Sequence, residues 1–169
     1  MNSEPKPMIL SGKARIVPVP DVDTDMIFHN RYLHITDPNE MGRYIFGNLK
    51  GFESFPTNTG AGDLLVVGHN FGCGSSRQQA VDGLIALGVA AIIGESFGAI
   101  YRRNAINAGI PLIEAKGILE KGLVTGREIT VDLETGLISD DKGREICGGN
   151  PMTKVQKDIY FAGGLLNLE

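Results

Sequence analysis

Three glycines, two adjacent serines, a cysteine and an arginine crowd into ten residues at 68–77, G-H-N-F-G-C-G-S-S-R. Serine hydroxyls donate and accept hydrogen bonds, and an arginine fork matches a carboxylate or phosphate at two points. Glycine permits tight turns and close approach of backbone to a ligand. Together they suit a phosphate cradle, a cysteine-based metal or redox site, or a site for an oxygen-rich organic anion.

The first two chemistries meet specific objections. A phosphate loop of the G-x-x-x-x-G-K-[ST] type, counted from Gly68, needs glycine where Cys73 stands, and no lysine follows. A dinucleotide fingerprint, G-x-G-x-x-G, fits Gly72 and Gly74 but ends on Arg77, too bulky for close strand–helix packing. The chain has two cysteines, Cys73 and Cys147. An iron–sulfur cluster takes about three or four thiolates, and the spacing is not that of a zinc site. Cys73 therefore reads as a small packed residue. An oxyanion site remains, with serine capping and a glycine-rich turn as its plain structural alternative.

The surrounding pattern places this loop. Leu64–Val67 is a short apolar run suited to a buried strand. Gln78–Leu87 has helical spacing and stops at Gly88. The loop thus joins a strand to a helix N-terminus, where free N–H groups favour an anion. V-A-A-I-I-G, a helix capped by Ser96 and ending at Gly109, and I-P-L-I complete a βαβαβ centre with parallel strands. R-E-I-T-V-D-L, L-I-S-D and the turns between them predict an antiparallel meander. The opening I-L-S-G-K-A-R-I-V reads as a strand or strand pair, Asn39 to about Lys50 as a short helix, and 151–163 as a closing helix begun by Pro151. The expected fold is mixed α/β, one domain over 1–169, with a β-rich portion around the βαβαβ centre.

Composition narrows the function. Net charge is -4, from 16 basic and 20 acidic residues with no basic stripe, which argues against nucleic acid. No apolar run approaches the ~20 residues of a membrane span. The start, M-N-S-E-P-K-P, lacks a signal peptide's layout, so a cytoplasmic location is expected. A Cys73–Cys147 disulfide is disfavoured there. Asp21, Asp23 and Asp25 lack the rest of a calcium loop and read as turn formers, with Thr24 and Asp25 lining the site.

The loop G-x-N-F-G-C-G-S-S-R resembles the signature of the small, swivelling domain of the aconitase superfamily. D-V-D-T-D-M-I at 21–27, R-Y-L-H-I-T at 31–36 and S-F-G-A-I-Y-R-R-N-A-I-N-A-G-I-P at 96–111 resemble further segments of it. The similarity is strongest to small subunits of 3-isopropylmalate dehydratase and homoaconitase and weakest after about residue 115. It implies a swivelling β/β/α domain and half of a hydro-lyase, of leucine biosynthesis in the first case. A large-subunit partner would hold a [4Fe-4S] cluster, which this chain's two cysteines cannot. The reaction implied isomerises a 2-hydroxy acid by removing and re-adding water. Ser75 would be the base, as alkoxide; Arg77 would clamp a substrate carboxylate and Ser76 would bond the same group.

The resemblance also assigns the position after Tyr-Leu to reading the variable part of the substrate. Arginine there suits an extra carboxylate and an apolar residue suits an isopropyl group. His34 matches neither; protonated it pairs with a carboxylate, neutral it packs an apolar group. Gln78-Gln79 departs from the acid common at the first of these positions. A non-catalytic anion-binding module is the alternative from another class.

Overall fold

The computed structural model describes residues 4–169. Met1–Ser3, where the opening segment was read for a signal peptide, lie outside the described residues. The parallel centre forms where the apolar runs predict it. Strand β1 is Ile9–Val17, followed by the single helical turns α1 (Thr24–Ile27), α2 (Pro38–Met41) and α3 (Phe55–Asn58). Then come β2 (Leu64–Val67), α4 (Gln79–Ala86), β3 (Ala91–Gly94), α5 (Ala99–Ala108) and β4 (Leu112–Glu114). The chain ends with β5 (Glu128–Asp132), β6 (Leu137–Asp140), β7 (Glu145–Gly148) and α6 (Lys154–Ala162).

All of these strands join one seven-stranded sheet, in the order β4-β3-β2-β1-β5-β6-β7. From β1 to β4 the pairing is parallel; from β1 through β7 it is antiparallel. Strand β1 serves both halves. Ile9–Lys13 pair with β5, whereas Ala14–Val17 pair with β2. The side-chain alternation of β2 divides the core. Leu65 and Val67 pack with Phe28, Phe71, Leu84 and Tyr101, while Leu64 and Val66 pack with Ile129, Ile138 and Tyr160.

The opening, read as a strand or strand pair, is one strand. Three local expectations need correction. The helix expected from Asn39 to Lys50 shrinks to α2 and a 3-10 turn at Gly42–Tyr44; Gly42 and Gly47 interrupt the stretch, and backbone entropy disfavours helix there. Pro151 does not open the last helix. Thr153 does, in a capping box with Gln156. Ser96 is not the cap of α5, whose first turn follows Gly98. The Ser96 hydroxyl instead accepts from the Asn70 amide at 2.7 Å and bonds His69 Nδ1 at 2.7 Å. Partners 26 and 27 positions away in the chain take the capping oxygen.

Candidate functional site

The loop after β2 is held by backbone contacts at both flanks. Phe71 N–H donates to the Ser96 carbonyl at 3.1 Å, and Gly98 N–H donates to the Phe71 carbonyl at 2.9 Å. Gly72 N–H reaches the Val22 carbonyl at 2.7 Å, and Thr24 N–H reaches that of Cys73 at 3.0 Å. The loop is thereby laced to the segment before α1 and to the start of α5.

One glycine is dictated by geometry. Gly72 has φ +80°, and a Cβ there would lie 2.2 Å from Tyr101 Cγ. The Tyr101 ring fills that space, meets Phe71 edge-on at 5.4 Å, and sends its hydroxyl to the Ala80 carbonyl at 3.0 Å. It is fully buried, and burial pushes its phenol far above the ordinary range. Tyr101 therefore fixes the loop, α4 and α5 relative to one another.

The serines are left outside this packing. Ser75 and Ser76 are both exposed. The Ser75 hydroxyl lies 3.4 Å from the Thr24 hydroxyl, which is buried. The Ser76 hydroxyl accepts from the Asn104 side-chain amide at 3.1 Å. Among the described residues, no backbone N–H from Gly74 to Gln79 donates to another protein group. These donors belong to the loop and first turn ahead of α4, so the anion-favouring character predicted for a helix terminus is spread along the loop.

Arg77 is half-buried, with its side chain 13% exposed. Its Nη1 donates to Asp25 Oδ1 at 2.9 Å and to the Phe28 carbonyl at 2.6 Å. Nε and Nη2 make no protein hydrogen bond among the described residues, so half of the fork is uncommitted. Asp25 also accepts from the Asn30 amide at 2.9 Å and from Asn48 at 3.1 Å, with His29 3.9 Å away. The hydrogen bond from Arg77 is the main reason its carboxyl sits below the usual range.

The structure thus gathers Thr24, Asp25, Ser75, Ser76 and Arg77. His34 stands apart from their hydrogen bonds: it is exposed, and its Nδ1 bonds the Arg31 carbonyl at 3.0 Å. Asp23 caps α1 through the Met26 amide, and Asp21 accepts from Asn70, so these two aspartates serve the backbone turn. Burial and the charges of Asp23 and Asp21 raise the Cys73 thiol, which keeps it protonated and favours packing over redox chemistry. Cys147 is buried on the other face of the sheet. Among the described residues no three His, Cys, Asp or Glu side chains are grouped to hold a metal. Two separated cysteines do not fit a [4Fe-4S] cluster. Sequence reasoning missed Asn104, whose signal was its place three residues after Tyr101 on one helical face. It also missed that Asp25 would spend its charge on Arg77.

A seven-stranded sheet half parallel and half antiparallel, with a serine–arginine loop at the carboxyl end of a parallel strand, is a recognisable class. Residues 18–116 match the family described as Aconitase C-terminal domain, and the chain belongs to that family. A crystal structure of 3-isopropylmalate dehydratase (leuD) from Methanocaldococcus jannaschii superposes with a TM-score of 0.84 at 36% identity, over 95% of this chain and 92% of that one. An isopropylmalate/citramalate isomerase small subunit from M. jannaschii is 44% identical over 86% of this chain and 85% of its own length. A 3-isopropylmalate dehydratase small subunit from Caldicellulosiruptor bescii is 40% identical over 94% of this chain and 93% of its own length.

Proposed function

We propose that residues 1–169 form one swivelling domain, the small subunit of a cytoplasmic hydro-lyase that isomerises a 2-hydroxy acid, in the first instance 3-isopropylmalate. The observation that carries the reading is the exposed Ser75 hydroxyl beside buried Thr24, two residues before an arginine with half its fork free. The names of the similar small subunits support it. The partner is a large subunit holding the [4Fe-4S] cluster, whose Lewis acidity serves the departing hydroxyl.

On this chain, Ser75 takes the proton from carbon as an alkoxide. An unassisted serine is far too weakly acidic, and each pKa unit of lowering needs about 1.4 kcal/mol of differential stabilisation. Three devices are at hand. The Thr24 hydroxyl, 3.4 Å from that of Ser75, is placed to donate to an alkoxide there, loop N–H groups stay unpaired, and Arg77 adds a positive charge. An exposed serine gains little from these in water; the large subunit closes over the loop, excludes solvent and strengthens each of them. The Nε and Nη2 edge of Arg77 takes a substrate carboxylate, and Ser76 donates to the same group. Asp25, expected beside the substrate, acts by aiming Arg77.

The test is co-expression with a cluster-bearing large subunit under anaerobic conditions, assaying isopropylmalate, citramalate, homocitrate and citrate side by side. Turnover should appear only in the assembled protein and vanish in Ser75→Ala. Turnover at the wild-type rate in that variant removes the base assignment. Citramalate is included because a relative's name carries it; homocitrate tests the homoaconitase reading and His34. Tight anion binding by the chain alone, with no large subunit captured, would favour a non-catalytic module.

A further inference from the structure

Asn104 carries a role that none of the site assignments above gives it. It lies on α5, three residues after Tyr101, and α5 is locked in rotation by that buried ring and its bond to the Ala80 carbonyl. A side chain on this face is held by the same packing that shapes the serine loop. Its amide nitrogen donates to the Ser76 hydroxyl at 3.1 Å. The Ser76 oxygen makes no other protein hydrogen bond among the described residues.

We infer that Asn104 is a positioning residue that sets the polarity of Ser76. A hydroxyl that accepts from an amide N–H keeps its own proton free to donate outward. Each such bond also polarises the next one in the chain. Ser76 is exposed, so that proton faces the space where the carboxylate of the 2-hydroxy acid would sit beside Arg77. The inference rests on the proposed hydro-lyase reading and extends it to a residue without substrate contact.

The experiment uses the assembled two-subunit enzyme and compares Asn104→Ala with Asn104→Asp across pH. In Asn104→Ala, KM for the hydroxy acid should rise about tenfold, the scale of one hydrogen bond to a charged group. The kcat should stay within about twofold, since uniform substrate binding is what is lost. Asn104→Asp is the discriminating variant. Its ionised carboxylate accepts only, so it turns the Ser76 proton inward and KM should rise further. As pH falls toward the carboxyl pKa, about 4 for an unperturbed aspartate, the group regains a donor and the excess of its KM over that of wild type at the same pH should shrink. A pH-independent rise of equal size in both variants means that Asn104 serves only packing, and the inference fails. Unchanged KM in both variants also overturns it. If wild type turns over no hydroxy acid at all, the hydro-lyase reading fails instead, and circular dichroism of the isolated variants shows separately whether they fold.

Discussion

Arg77 Nη1 sits 2.9 Å from Asp25 Oδ1, a pair 52 positions apart in the chain. This contact ties the serine loop to the first turn of α1 and orients the fork so that one edge is spent on protein and the other left open. It is an aiming device more than a source of stability. An ion pair with a carboxylate 40% exposed is worth less than about 1 kcal/mol.

That distinction is measurable. Asp25→Asn should lower the thermal stability of the isolated chain only slightly while reducing kcat/KM of the assembled enzyme about tenfold or more. An unchanged kcat/KM would show that Arg77 needs no aiming.

The same pair sets an acid limit. Arg77 lowers the Asp25 carboxyl below its ordinary value of 3.8. A depressed carboxyl contributes its stability in full above the unfolded value and loses it as pH falls through the folded one. Denaturation measured from pH 6 downward should therefore show no loss from this pair until below about pH 4. Asp25→Asn should narrow the difference between neutral and acid stability.

Ser75→Ala should cost about a hundred- to ten-thousandfold in kcat, the range for removing a positioned base. Gel filtration should show the variant assembling with the large subunit as wild type does, because the residue is exposed and among the described residues its hydroxyl hydrogen-bonds only that of Thr24, at 3.4 Å.

Gly72→Ala should unfold or badly destabilise the chain. The added methyl would meet the Tyr101 ring, and the backbone is left-handed at that position. Strain at φ +80° alone costs about 1 kcal/mol, and the clash with a fully buried ring adds several more. A chemical denaturation midpoint equal to wild type would contradict this.

Cys73 should be dispensable for chemistry. Its thiol is raised by burial, so iodoacetamide should label it more slowly at pH 7 than a free cysteine peptide. Cys73→Ala should keep turnover within about threefold, a packing change only. Complete loss of turnover in a folded, assembled variant would point to chemistry at the sulfur.

The buried strands β2, β3 and β4 and the meander strands β5 and β6 were legible because each is announced by local pattern, a short apolar run or an alternation; β7, four residues long, was not named from the sequence. Gly88 and Gly109 mark the helix ends where the sequence places them, both with positive φ. What local pattern does not carry is competition between partners. Ser96 is a good cap in isolation, but Asn70 and His69 claim its oxygen. Thr24, Asp25, Ser75, Ser76 and Arg77 were named through motif and resemblance, yet the choice of Asp25 as partner for Arg77 depends on a fold-level approach of two segments. Asn104 stayed hidden because an asparagine on a helix face looks solvated until the loop packed against it is known.

Strand β1 borders β2 along one half of its length and β5 along the other. During synthesis, then, the amino-terminal strand emerges with neither neighbour made. Its second half can dock once residue 67 has left the ribosome, and its first half must wait for residue 132. Until then an unpaired edge is open to solvent, and that interval is where a nascent chain of this design is most exposed to sticking to its neighbours.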